Sequence, residues 1–310
     1  MTKVKRQHYV PRFYLKKFTY RGLQIFAYDK LIDKSFATSI DNIANEGYFY
    51  DFSQELSNVM IDTQTVEKGL AGIEAIFSKT LDELLKVVVK KNKIKPEYRF
   101  EMAHFIAVQM LRTKEYRIEQ QQLYENGLNA VIKTMEHDDQ GDYSVSIKPE
   151  FVPLQHAMTM FDPDILNSMT QILASHIWFI GVNGTPKPFY TSDHPVVKRG
   201  HYQDPLQSYD GIASPGIEIA FPLTPNYVLV LCERQAFQMY EKRENKCVVL
   251  NKDNVAYYNS LQVAQSYRQI YSPKDDFTIA RQMCKKFPEI RELDRKRIQA
   301  HVGGRPLSET

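Results

Sequence analysis

From about Asp62 onward, apolar residues return at steps of three and four: Val66, Leu70, Ile73, Phe77, Leu81 and Leu84. That interval marks one face of an α-helix, and a stripe of this length predicts a partner helix against it. Lys90, Lys91, Lys93 and Lys95 collect where the stripe ends. Cations there complement the negative end of the helix dipole, and Pro96 opens the next segment as a first-turn proline does. A second helix is predicted from about Glu97 into the 130s, apolar through Leu111 and polar beyond Arg112, so that its second half projects into solvent or toward a partner. Residues 137–142 read as a turn-rich break, and Asp162-Pro163-Asp164 as a new helix start.

Elsewhere the period shortens. Residues 23–28 and 35–40 are short aromatic and β-branched runs around a polar connection and predict a hairpin. Further strands are predicted at residues 176–182, 188–191, 216–221, 227–231 and 247–250, two of them so continuously apolar that both faces should be buried. Trp178 belongs in such a strand. Helices are expected from Asp253 to about Tyr271 and from about Pro288 to Ala300, with Gly303-Gly304-Arg305-Pro306 as a disordered end. The pattern adds up to an α+β chain with a mixed β-sheet formed by N- and C-terminal segments and a mostly helical insertion between them. We read residues 1–310 as a single elaborated domain: a sheet-containing core at 1–56 and 176–275, a helical insertion at 57–175, and a C-terminal helix and tail at 276–310.

Composition narrows the function classes. Lys and Arg total 40 against 37 Asp and Glu, an excess of +3 that does not by itself indicate nucleic acid, although six cations crowd the first 17 residues. Three widely spaced cysteines match neither a zinc site nor a disulfide framework, which points to a reducing cytoplasm. No apolar run reaches the roughly 18 residues of a membrane span, so no membrane association is expected. Walker, dinucleotide and kinase signatures are absent, which disfavours ATP- and NAD-dependent chemistry.

Two segments stand out: Gln7-His8-Tyr9-Val10-Pro11-Arg12-Phe13-Tyr14-Leu15-Lys16-Lys17-Phe18 and Thr191-Ser192-Asp193-His194-Pro195-Val196. Together they resemble an uncharacterised family of bacterial and phage proteins, a domain of unknown function, whose members carry a QHYVPxFYLxxF start and a TSDxPV loop. Weaker landmarks extend the likeness: Asp29-Lys30, Asn45 to Tyr50, Phe221 to Pro225, and Asn259. At the small polar position after Asp193 this chain has His194. The resemblance carries no activity with it.

The two motifs supply the candidate chemistry. Imidazole exchanges protons near neutrality and guanidinium grips phosphate, so His8 and Arg12, joined by Asp193 and His194, form a candidate catalytic set. Tyr9, Tyr14, Lys16, Lys17 and Ser192 are the candidate substrate contacts. The first reading is a defence-associated or toxin-like nuclease that cleaves phosphodiesters, with His8 and Asp193 in one site and nucleic acid as partner. Each feature also has a structural reading: aromatics anchoring an edge strand around Pro11, and Thr, Ser and Asp capping a turn. The second reading is therefore a non-catalytic binding or sensing module that meets a protein partner through its helical unit. No organic cofactor is expected, and a divalent metal bound by Asp193 is the open alternative. Asp193, His194, His201 and Asp204 lack metal-site spacing, and the alternative of Asp193 with Glu218 holding a divalent cation places Ala220 where a nuclease core needs lysine. His104 and Arg112 read as a satisfied interior histidine and a solvated charge.

Overall fold

The computed structural model describes residues 3–53, 62, 64–135, 144–204, 208–298, 301–302 and 305–306. The predicted break at 137–142 and the pair Gly303-Gly304 lie outside the described residues.

The chain is α+β, with the strands in two principal sheets. The hairpin of β2 (Gln24–Asp29) and β3 (Lys34–Ser39) continues through β11 (Gln269–Ser272) to β6 (Thr191–Ser192), an antiparallel sheet in the order β3-β2-β11-β6. N- and C-terminal segments thus share one sheet. A second, five-stranded sheet has the order β10-β5-β9-β8-β7, from Cys247–Leu250 (β10), Ile177–Asn183 (β5), Tyr227–Cys232 (β9), Ile217–Thr224 (β8) and Val197–Gly200 (β7). It is mixed because β10 runs parallel to β5 while the other pairs are antiparallel. The short strands β1 (Arg6–His8) and β4 (Asn45–Gly47) pair separately.

Alternation along the five-stranded sheet explains its continuous apolar runs. Trp178, Ile180, Ile219, Phe221, Leu229 and Leu231 face a core shared with the helical residues Met102, Phe105, Ile106 and Leu173 and with the N-terminal Tyr14 and Phe18. Ile177, Phe179, Ala220, Val228, Val230 and Cys232 face the opposite way, onto Val255, Tyr258 and Leu261 of the helix Lys252–Gln265. Both faces are covered, so no polar face is needed. Gly181 is required at its place, because a Cβ there would collide with Leu250 and Val228. The outer edge of the sheet is capped by a side chain: Gln265 accepts from the Lys198 amide (3.0 Å) and donates to the Lys198 carbonyl (2.6 Å), in place of a further strand.

The helical stripe lies where its period places it. Val66, Leu70, Phe77, Leu81 and Leu84 of the helix Thr65–Lys91 are buried, and Asn92 closes it in the left-handed conformation (φ 53°). Asp162 caps the helix Pro163–Ser175 through the amides of Asp164 (2.9 Å) and Ile165 (3.1 Å).

Four elements differ from the sequence expectation, the first being the strand expected at 188–191, which is only Thr191–Ser192. The helix predicted from Glu97 into the 130s is two, Arg99–Leu111 and Lys114–Met135. The break is stabilised from outside: His156 Nε2 donates to the Leu111 carbonyl (2.6 Å) and the Tyr50 hydroxyl to that of Arg112 (2.8 Å), so the interrupted ladder keeps its partners. Arg112 is buried, not solvated; it donates to the His8 carbonyl (2.7 Å) and pairs with Glu74 (2.8 Å). The helix expected up to Tyr271 stops at Gln265, and residues 269–272 form β11. The last α-helix among the described residues is Thr278–Lys286, a 3₁₀ turn follows at Pro288–Arg291 in place of the helix expected there, and His301–Val302 pairs with Arg305–Pro306.

Candidate functional site

The N-terminal motif turns most of its polar atoms inward. Gln7 is fully buried and accepts from the Tyr50 amide (2.6 Å) while its own amide donates to Asp51. His8 is half-buried, with Nε2 3.3 Å from both the Ile40 carbonyl and the Asn45 side-chain amide. Burial first, and the charges of Arg12 and Arg112 after it, lower its pKa from the usual imidazole value. Arg12 is exposed and paired with Asp41, and Lys17 is paired with Asp82, while Lys16 stands in solvent. Tyr9 is buried, its phenol held in the neutral form by desolvation and the nearby Asp193 and Glu46. Tyr14 is completely buried, with its hydroxyl against Thr191 and the Pro222 carbonyl.

The second motif is a built turn. Ser192 Oγ lies within reach of the His194 carbonyl (2.9 Å) and Gln262 Oε1 (2.7 Å) and accepts from the His194 amide (3.2 Å). Asp193 accepts the amides of Tyr267 (2.8 Å), Arg268 (2.8 Å) and Gln269 (2.7 Å), which fastens the loop to the start of β11. Desolvation still pushes its carboxyl up to about 6, against those amides and the charge of Lys30. Lys30 is itself fully buried, donates to the carbonyls of Val263 (3.0 Å) and Ser266 (2.8 Å), and is lowered to about 8 by burial.

His8 and Asp193 have separate hydrogen-bond partners. The imidazole of His8 is held by Ile40 and Asn45, and the carboxylate of Asp193 by residues 267–269, with no partner in common. The two motifs meet through Tyr14, whose hydroxyl lies against Thr191. Ser192 and Tyr14, expected as substrate contacts, are buried with their hydroxyls engaged.

One motif residue does open onto a cavity. His194 lines a cleft of about 710 Å³ with Glu115, Glu119, Lys198, Arg199, Asp210, Arg295, Lys296 and Arg297 among its walls. Thr113 Oγ1 lies 2.8 Å from His194 Nδ1, which leaves Nε2 for the cleft. Burial, then Lys198, Arg295 and Arg297, push this imidazole down to about 3, so it is neutral at physiological pH. Glu115 takes two of the five cations: Arg295 at 2.7 Å, and Arg297 through Nε at 2.9 Å and a second nitrogen at 3.0 Å. Lys198, Arg199 and Lys296 form no ion pair among the described residues.

A second polar cluster lies on the sheet edge nearby. Glu218 is buried and accepts from His201 Nε2 (2.8 Å), Tyr258 (2.7 Å) and Tyr257 (3.3 Å), and the His201 side chain is 42% exposed. The sequence signals neither grouping, because the cleft draws on five separate segments and His201 and Glu218 lie 17 residues apart. Among the described residues there is no group of three or more His, Cys, Asp or Glu placed to hold a metal ion, and no helix long and apolar enough to cross a membrane.

Comparison with curated proteins and with solved structures gives no match. A family model described as a protein of unknown function, DUF4238, matches residues 6–276, a span that contains both motifs, both principal sheets and the helices between them. The chain belongs to this family, DUF4238.

Proposed function

We propose that the chain is a binding module for a phosphate-bearing polyanion, a nucleic-acid strand, which it takes in the cleft beside His194, and that its two motifs build the fold. One observation carries this reading: five cations and a neutral imidazole face three carboxylates there, a net excess of two positive charges, and Lys198, Arg199 and Lys296 form no ion pair among the described residues. Phosphate contacts by Lys and Arg supply most of the affinity in such complexes.

Acid–base catalysis at the motifs has less support. A general base works best with a pKa near the working pH, and His194 at about 3 is a hydrogen-bonding group rather than a proton acceptor. Asp193 is occupied by three amides. The three free thiols, two of them buried, fit a reducing cytoplasm. Fluorescence anisotropy of a labelled single-stranded oligonucleotide tests the reading. The wild type should bind, and Lys198→Glu/Arg199→Glu/Lys296→Glu should not; equal binding by the two would sink it.

A protein partner on the helical unit is the second reading, supported by Tyr124, Leu128 and Val131, exposed at helical spacing on Lys114–Met135. Sedimentation of the chain and of Leu128→Ser tests the simplest such partner, a second copy. A monomer at all concentrations would exclude it.

A further inference from the structure

The cluster around Glu218 has the arrangement of an oriented imidazole. Arg199 and Glu218 are opposite each other in the ladder of β7 and β8, and the His201 amide extends that ladder to the Gly216 carbonyl (3.0 Å). Residues 199 and 201 therefore project from the same face of the edge, about 7 Å apart along it. Two tyrosine hydroxyls donate to the Glu218 carboxylate, which fixes it as an acceptor. His201 Nε2 must then carry the hydrogen it gives to Glu218, and Nδ1 is left as the basic nitrogen. Phe237 stands edge-on to the ring at 5.3 Å and holds its plane. Arg199 lines both the cleft beside His194 and an adjoining hollow of about 670 Å³ formed with Gly200, Tyr202 and Tyr209. His201 lines neither hollow, and stands two residues from Arg199 on the same face of the edge that borders both.

We propose that His201, oriented by Glu218 and with Arg199 on the phosphate, is a proton-transfer site for hydrolysis of a phosphodiester. The inference rests on the polyanion reading of the neighbouring cleft. Water attacks phosphorus as Nδ1 removes its proton. The new P–O bond forms while the bond to the leaving oxygen breaks with its electron pair, and the imidazolium returns the proton to that oxygen. One phosphodiester and one water give one phosphomonoester and one alcohol. His201 and Arg199 are the catalytic residues, and Glu218 is a positioning residue.

The test uses the full chain with bis(p-nitrophenyl) phosphate as hydrolysis probe and the labelled oligonucleotide as binding probe. His201→Asn should lower kcat by about 100-fold or more, the range for a positioned acid–base group, with oligonucleotide affinity changed by less than about two-fold. Glu218→Gln should lower kcat and leave KM unchanged, a split that a merely structural role would not give. Binding without hydrolysis, or hydrolysis undiminished in His201→Asn, overturns the proton-transfer site and leaves the cleft reading intact. Absence of binding by the wild type overturns both.

Discussion

The hydroxyl of Tyr14 lies 2.7 Å from Oγ1 of Thr191, and this contact joins the two motifs, 177 residues apart. The same phenol donates to the Pro222 carbonyl at 2.6 Å, so with its one proton spent it must receive the hydrogen of Thr191. Thr191 belongs to the four-stranded sheet and Pro222 to the five-stranded one. One buried side chain from the N-terminal motif therefore holds both sheets. Tyr14→Phe leaves a buried carbonyl without its donor and should cost about 1–3 kcal/mol in chemical denaturation. A loss below a few tenths of a kcal/mol would remove this link from the account.

Asp193 and Arg12, paired by the sequence in one candidate site, should separate in a stability assay. Asp193→Ala strands three amides in a buried loop and should cost about 3 kcal/mol or more, at about 1–3 kcal/mol per unsatisfied group. Arg12, 55% exposed beside Asp41, should be worth no more than about 1 kcal/mol. Thermal melts of the two single variants check this contrast. Equal midpoints would mean that Asp193 is not the clasp its hydrogen bonds describe.

Local periodicity made much of this fold legible. The stripe from Val66 to Leu84 is buried, with Ile73 half-buried at its margin, and Asp162-Pro163 starts a helix because a capping carboxylate and a fixed φ act within one turn. The α+β class and the buried Trp178 follow from the same reasoning. The break at Arg112-Thr113 contains no Gly or Pro; its one local signal is Thr113, which accepts the Tyr116 amide (3.3 Å) as a helix cap, while His156 and Tyr50, which satisfy the freed carbonyls, are remote in sequence. Residues 269–272 were hidden for a related reason, since a four-residue strand is too short to show its period beside a helix. In the candidate site, His194 was visible as a titratable group in a motif. Its cationic surroundings were not, because Arg295 and Arg297 reach it only through the folding of the tail onto Glu115.

Glu115 is the anchor of that tail. Its side chain is 10% exposed, and those of Arg295 and Arg297 are 12% and 5% exposed. Glu115→Gln leaves two nearly buried guanidinium groups without their charge partner, a change that costs about 3–5 kcal/mol for a buried pair. Limited proteolysis should then cut between residues 292 and 298 faster than in the wild type. Unchanged protection would show that the tail is held by its backbone contacts alone.

The buried histidines His156 and His194 contribute stability that falls on acidification from near neutrality. His156 and His194 are both pushed from 6.5 to about 3, mainly by burial, so between those values the unfolded chain binds more protons than the folded one. Their contribution is complete above 6.5 and is lost as pH falls toward 3, at about 1.4 kcal/mol per pH unit for each histidine. Asp193, raised from 3.8 to about 6, and Glu67, raised from 4.5 to about 7, both mainly by burial, act in the opposite sense between those values and offset the two histidines there, so the histidine contribution is read from the difference between variant and wild type. Urea denaturation at a series of pH values should give a shallower slope below pH 6.5 for His156→Gln than for the wild type. Parallel profiles would contradict the buried neutral assignment.

The salt dependence of oligonucleotide binding reports how many of the cleft's cations meet phosphate. If Lys198, Arg199 and Lys296 meet phosphates, log K should fall linearly with log salt, and replacing all three by Ala should flatten the slope by about 2, at roughly 0.7 per phosphate contact on a single strand. A wild-type slope near zero, or one that the triple variant leaves unchanged, would contradict the assignment of this cleft to a polyanion.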